Sequence, residues 1–244
     1  MALLRSDAFV LRTYKLGEVD QIVVFFTREL GKIRAVVRRS HSLRRHIASL
    51  CQPLMHLHVI VFARPQQALF RVNSVEVVES FRSLREDFTA LRSGLYLTEL
   101  LDVTTHECEP LPELFELFQT TLAQLARAPT APFLMRRFEV RLLALIGYAP
   151  QLATCVRCAR PLQPQDRTFS PALGGLLCTA CAATAPQPLR VTPATLAALR
   201  ALAADEAPLP PGDTATEREL ERLLHAHLVA RLGRELKSYP FLHL

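Results

Sequence analysis

Six cysteines stand in the chain, and four are paired by spacing: Cys155 with Cys158, then Cys178 with Cys181, with nineteen residues between the pairs. Two thiolates three positions apart across a tight turn can hold one side of a tetrahedral ion, and a second such turn completes the four ligands. The spacing therefore predicts one zinc ion bound by Cys155, Cys158, Cys178 and Cys181. A shell of four thiolates leaves no position for water or substrate, so the expected role is structural and not Lewis-acid catalysis. Phe169-Ser170-Pro171 and Gly174-Gly175, between the pairs, suit a short hairpin folded over the metal. Two disulfides or two redox pairs are the competing readings. The absence of a βαβ context and a reducing compartment weigh against both. Cys51 and Cys108 fall outside the pattern and read as small buried hydrophobes.

The second chemical feature is a gap. From Leu30 to Val75 the chain has no Asp or Glu, while Lys32, Arg34, Arg38, Arg39, Arg44, Arg45, Arg64 and Arg71 fall inside. The formal net charge of +6 says less than this uneven distribution, because a polyanion responds to the local field. The eight cations are the candidate contacts to a phosphate backbone. The chain has no Trp, and Tyr14, Phe62 and Phe70 read chiefly as core. Contact with backbone and little readout of bases is the expectation.

Other chemistry is missing. The sequence has no Gly-rich phosphate loop ending in Lys-Ser/Thr and no His-Glu-x2-His, and the zinc deaminase pattern fails at His106-Glu107. No catalytic residue is expected and the chain is not read as an enzyme. A hydrolase or nuclease with dispersed carboxylates would rest on the acidic segment Glu79 to Glu116 alone. His41, His46, His56 and His58 read as half-exposed surface and not as a second metal site. No apolar run of membrane-spanning length is present, and the N-terminus lacks the apolar core of a secretory signal. A cytoplasmic, nucleoid-associated protein with no membrane or nucleotide partner is expected.

The elements that position these residues are legible in outline. Five strand-like runs, Ala8 to Leu11, Ile22 to Thr27, Ile33 to Val37, Leu57 to Phe62 and Leu69 to Val78, suit a small closed barrel. The oligonucleotide-binding (OB) barrel leads and an SH3-like barrel is the alternative. The basic stretch Arg38 to His46 is expected as the loop after the third strand, with Arg64-Pro65-Gln66-Gln67 turning before the fifth. From Leu84 the apolar period changes to that of helices, broken at Ala128 to Pro132 and resumed over Phe133 to Ile146 with Gly147 as cap. Thr192-Pro193 opens another helix, Ala207 to Gly212 forms a loop, and Thr214 to Leu232 forms the last helix. The fold class is thus α+β: a five-stranded OB-fold barrel over residues 1–80, a helical domain over 81–153 and 184–244, and an inserted four-cysteine zinc module over 154–183.

Longer motifs carry a resemblance. Phe9-Val10-Leu11-Arg12-Thr13, Gly17-Glu18-x-Asp20, Phe26-Thr27-Arg28-Glu29-x-Gly31-Lys32 and Leu50-x-Gln52-Pro53 resemble the N-terminal barrel of the RecO family. Phe138-Glu139-x2-Leu142-Leu143-x-Leu145-x-Gly147-Tyr148-x-Pro150, the cysteines, and Leu236-Lys237-Ser238-x2-Phe241-Leu242 are similar to its middle and end. The resemblance implies a recombination mediator in DNA repair. Such a protein binds single- and double-stranded DNA, anneals complementary strands and works with RecR to load RecA onto DNA coated by single-strand-binding protein (SSB). It also implies recognition of the SSB tail by the helical domain, for which Arg136, Arg137 and Arg141 are the candidate residues. A zinc-stabilised scaffold that binds proteins, with weak DNA contact, is the competing function.

Overall fold

Short runs rich in β-branched and aromatic residues form strands β1 (Ala2–Leu16), β2 (Asp20–Thr27), β3 (Gly31–Val37), β4 (His56–Ala63) and β5 (Leu69–Glu79), with burial alternating along β3 and continuous over the second half of β2. In this computed structural model they close into a barrel in the order β1-β2-β3-β5-β4. Neighbours are antiparallel except β3 and β5, which pair in parallel with Ala35 opposite Phe70. One parallel pair, with a helix between β3 and β4, is the OB arrangement and not the SH3-like one. The structure describes residues 2–18, 20–38, 42–63, 69–131, 133–204 and 213–243, and for residues 42–45 the backbone only. The turn expected at Arg64 to Gln67 and the loop expected at Ala207 to Gly212 lie outside the described residues.

The barrel interior is filled from alternate positions, among them Val10, Val23, Phe25, Ile33, Ala35, Leu57, Val59 and Val61. The opposite parity serves a second core: Phe9 lies 5.1 Å from Phe115 and 4.9 Å from Phe118, and Phe26 lies 6.0 Å from Phe115. Part of the stretch expected as a loop is helical. Helix α1 (Ser42–Leu50) places Ala48 in the barrel core with Ile47 packed against it, and Gln21 Nε2 donates to Ala48 O at 3.2 Å. The charges that mark this stretch hide the short apolar period that seats the helix.

Unit 1 comprises Met1–Thr130 and Lys237–Leu244 and adds helices α2 (Arg82–Glu86), α3 (Phe88–Thr104) and α4 (Pro112–Arg127) to the barrel. Asp87 caps α3 by accepting from Ala90 N at 2.8 Å, which is why the apolar period from Leu84 splits into two helices. The C-terminal turn Tyr239–His243 returns to this unit, tied through Ser238 N to Glu99 at 2.7 Å. Unit 2, Ala131–Leu236, holds α5 (Leu134–Leu145), the strands β6 (Thr168–Ser170) and β7 (Gly175–Leu177), α6 (Thr179–Ala182), β8 (Leu189–Arg190), α7 (Pro193–Ala203) and α8 (Thr214–Leu232). Its small sheet runs in the order β7-β6-β8. Thr192 caps α7, Asp213 caps α8, and Gly147 at φ 81 follows α5. Among the described residues, no helix is long and apolar enough to cross a membrane.

Three single residues depart from expectation, the first being Tyr14, which stands exposed near the end of β1 and not in the core. His56 is buried, not half-exposed: a register shift between His56 and Leu57 turns the start of β4 inward, and the ring stacks 4.5 Å from Phe9. His58, two residues on, does stay at the surface and holds Asp7 at 2.8 Å. Cys108 is exposed, not buried, because its turn docks by the backbone, with Cys108 N donating to Lys32 O at 2.9 Å. Cys51 is buried as expected, and burial pushes its thiol pKa up to about 12.

Burial of His56 fixes a pH dependence. Desolvation lowers its pKa below the ordinary 6.5, against the opposing pull of Asp7 and Glu79 and with His58 adding to the lowering. The folded state thus keeps the ring neutral while the unfolded state gains a proton as pH falls below 6.5. Stability from this site is complete above that value and is lost as pH drops towards the depressed one. Thermal unfolding of His56→Phe, which keeps the stack on Phe9, is expected to lose less between about pH 7.5 and about pH 5.5 than the parent does. An equal loss in both proteins would remove His56 as the cause.

Candidate metal centre and nucleic-acid interface

The four cysteines come from two turns. Cys155 and Cys158 sit in the first, closed by Ala159 N donating to Cys155 O at 2.8 Å. Cys178 and Cys181 sit at the start of α6, where Cys181 N donates to Cys178 Sγ at 3.5 Å. All four Sγ atoms lie within 4.8 Å of one another, and none forms a disulfide. Zinc–sulfur bonds of about 2.3 Å in a tetrahedron require sulfur–sulfur edges of about 3.8 Å. The Cys158–Cys178 separation is 3.8 Å. The donor set and its spacing fit one tetrahedral ion, with Cys155 and Cys178 buried and Cys158 exposed.

The two turns are joined by a residue that carried no signal in the sequence. Asp166 is buried, and each of its contacts is a donor: Arg160 Nη2 at 2.9 and 3.1 Å, Gln163 N at 2.9 Å, Thr179 N at 2.8 Å and Thr179 Oγ1 at 2.9 Å. Arg160 follows the first turn and Thr179 opens the second, so one carboxylate fastens both. The backbone hydrogen bond from Gln163, with those from Thr179, holds the Asp166 pKa below its ordinary value. Arg160 also reaches Cys178 and draws its thiol pKa down to about 6, while the hydrogen bond with Cys178 pushes that of Cys181 up to about 12. Gly175 sits where a Cβ would come within 2.6 Å of Gln151 O, so only glycine lets the hairpin lie against that backbone. Arg231 of α8 completes the seat by donating to Pro171 O at 3.0 Å and to Ala172 O.

The basic residues of unit 1 separate into two groups. Lys32 and Arg34 on β3 are matched within the unit: Lys32 Nζ donates to Asp102 O at 2.5 Å and lies 3.5 Å from the Asp102 carboxylate, and Arg34 Nε meets Glu107 at 2.8 Å. Burial lowers the Lys32 pKa, with Asp102 opposing. Arg12 shares Asp102 at 2.9 Å, and Arg28 meets Glu116 at 2.5 Å. The acids that follow the basic stretch in sequence therefore fold back onto part of it. Arg38 is exposed at the end of β3, and Arg71 on β5 is half-buried with an interaction of its own. Arg39, Arg64 and the side chains of Arg44 and Arg45 lie outside the described residues. Tyr14 is exposed, with Arg12 5.7 Å from its ring centre, while Phe62 and Phe70 are half-buried. On α5, Arg136 is buried against Glu139 at 3.1 Å, and Arg137 and Arg141 are half-buried with interactions of their own.

Fold and site together define an α+β protein in which an OB barrel precedes a helical part that carries a cluster of four cysteines able to hold one metal ion. The family model for the recombination protein O N terminal matches residues 1–81, and that for the recombination protein O C terminal matches residues 85–240. Proteins named DNA repair protein RecO are similar along the whole chain. That of Symbiobacterium thermophilum is 34% identical, covering 99% of this chain and 97% of its own length. Those of Myxococcus xanthus and Anaeromyxobacter sp. (strain K) are 34% and 35% identical, covering 97% and 96% of this chain and 96% and 93% of their own. The chain belongs to the recombination protein O family, a family of DNA repair proteins.

Proposed function

We propose that this chain is a DNA-binding recombination mediator that holds single and double strands by their backbones and anneals complementary strands. With RecR it promotes loading of RecA onto SSB-coated DNA. The observation that carries the reading is an OB barrel whose stretch from Leu30 to Val75 has no acid and eight cations. Two strands repel each other, and a basic surface that neutralises both lowers the cost of bringing them together. Bases stay free to pair when contact is to phosphates, so annealing asks for no catalytic residue and no nucleotide. Arg38, Arg39, Arg44, Arg45, Arg64 and Arg71 carry the contact in this reading, and Lys32 and Arg34 lend less because Asp102 and Glu107 already match them. Arg137 and Arg141 serve the SSB tail, with buried Arg136 holding α5 behind them. One zinc ion at Cys155, Cys158, Cys178 and Cys181 fastens the module over residues 154–183 and takes no part in chemistry.

The pairing of Lys32 and Arg34 favours a second reading, a zinc-stabilised scaffold whose targets are proteins. Annealing of complementary oligonucleotides without ATP separates the two. Changing Arg38, Arg39, Arg44 and Arg45 together to Glu is expected to abolish annealing and single-strand binding. The parent is expected to show a log–log salt slope of about −3 from about four phosphate contacts. Unchanged affinity at moderate salt after that reversal would leave the scaffold reading standing.

A further inference from the structure

The barrel is not the only part of the chain stripped of acids. Between Glu139 and Asp205 the sequence holds one carboxylate, Asp166, while Arg141, Arg157, Arg160, Arg167, Arg190 and Arg200 fall inside. Asp166 is buried and saturated by the donors already described. Part of this positive charge is used locally. Four thiolates around a divalent ion leave a net negative centre, and Arg160 beside Cys178 and Arg157 one residue before Cys158 stand next to it. Arg157 also donates to Thr184 Oγ1 at 2.6 Å, and Arg200 to Leu152 O at 3.3 Å.

Arg167 and Arg190 are placed differently. β6 registers Thr168 opposite Arg190, and Val191 N donates to Arg167 O at 2.8 Å, so the two arginines stand on adjoining backbones. Both line one surface cavity of about 320 Å³, together with Thr168, Thr179 and Thr192. Among the described residues neither guanidinium has a hydrogen-bond or ion-pair partner. Two carboxylates share the wall, and both are occupied: Asp166 as above, and Glu219 by Thr192 N at 3.2 Å, Thr192 Oγ1 at 2.5 Å and Thr195 Oγ1. What remains in the lining is two arginines without a partner among the described residues, Arg167 half-buried and Arg190 exposed, and a guanidinium is a donor fork that can take a phosphate with two parallel hydrogen bonds.

We infer that this cavity is a second site for a DNA strand, with Arg167 and Arg190 as its contacts to backbone phosphate, in a unit that does not contain the barrel. The inference rests on the strand-binding reading above and deepens it. A basic surface can neutralise both strands at once, and a barrel site with a separate module site would give each strand a place of its own.

The test uses the full-length, zinc-loaded protein with a labelled single-stranded oligonucleotide, comparing Arg167→Glu/Arg190→Glu with Arg167→Lys/Arg190→Lys. Zinc content and circular dichroism equal to the parent's show that either variant is folded. Should the glutamate pair misfold, Arg167→Gln/Arg190→Gln takes its place. Loss of two phosphate contacts is expected to flatten the log–log salt slope by about 1.4 and to weaken binding roughly tenfold at about 0.1 M salt. The annealing rate is expected to fall further than single-strand affinity does, and the lysine pair to retain most of both. An unchanged slope and annealing rate in a folded charge-removed variant, with the barrel reversal still abolishing binding, overturns the inference and leaves the strand-binding reading intact. If the parent itself binds no DNA, that reading falls and takes this one with it.

Discussion

Asp166→Asn is expected to weaken zinc binding by about 10- to 100-fold, the usual cost of removing a group that orients metal ligands. Asparagine has nearly the same shape, so the effect comes from chemistry and not from volume. Each group around Asp166 is a donor: Arg160 Nη2, Gln163 N, Thr179 N and Thr179 Oγ1. An amide offers one acceptor oxygen, and its nitrogen must then face donors on the other side. Whichever way the amide turns, either the link to Gln163 or the link to Thr179 is lost, and the guanidinium of Arg160 loses its counter-charge. The two cysteine turns then have to be brought together by the metal alone, and part of the binding energy goes into ordering them. Competition with a chromophoric chelator measures the affinity, and unfolding with and without chelator measures the link to stability. Arg160→Ala is expected to do less, because the side chain is 40% exposed and water can replace part of what it gives. Equal zinc affinity in the parent and Asp166→Asn would mean that the cysteine turns are ordered without the carboxylate.

How much of this site was legible beforehand depends on how far apart its parts lie in sequence. The cysteine pairs announce themselves because each pair is local and the chemistry admits few alternatives. Asp166 does not, since a lone acid after Gln163-Pro164-Gln165 looks like a loop residue until the second turn closes over it. The barrel strands are readable as short β-branched and aromatic runs, and the OB order follows once β3 and β5 pair in parallel. Helix α1 was hidden in a stretch where charge outweighs period. The charge map misleads at Lys32 and Arg34 for the same reason that Asp166 is silent. Their partners Asp102 and Glu107 stand 70 and 73 residues away, and only the folding of unit 1 brings them together. The one-sided composition of a segment therefore sets an upper limit on its free charge. By the same logic, the acid-poor run from Val140 to Ala204 is overshadowed in the sequence by the cysteines it surrounds, although folding leaves Arg167 and Arg190 unmatched there among the described residues.

Gly31→Ala is expected to be the most damaging single change in the barrel unit. Gly31 ends the turn between β2 and β3 at φ +70, where an L side chain costs about 1–2 kcal/mol before any contact is counted. A Cβ there would lie 2.2 Å from Glu109 O and 2.4 Å from Glu109 C, both backbone atoms that cannot swing aside. The segment from Glu107 to Glu109 would have to retreat. It is held by Cys108 N donating to Lys32 O at 2.9 Å, by a parallel bridge between Lys32 and Glu107, and by the Arg34–Glu107 pair at 2.8 Å. Strain, overlap and one lost backbone hydrogen bond together come to about 3 kcal/mol or more. In a unit of this size that lowers the melting temperature by about 10 °C. Gly17→Ala is the matched control, since φ is +62 but nothing lies within 4 Å of the added carbon, so it should show the strain alone. If the two alanine variants melt together, the close approach of Glu109 contributes nothing. If Gly31→Ala melts well below Gly17→Ala, the glycine in Glu29-x-Gly31-Lys32 is required by the backbone it lets in and not only by the turn it makes. The same contact presents Glu107 to Arg34, so the residue that admits the loop also helps decide which cations of the barrel are matched within the unit.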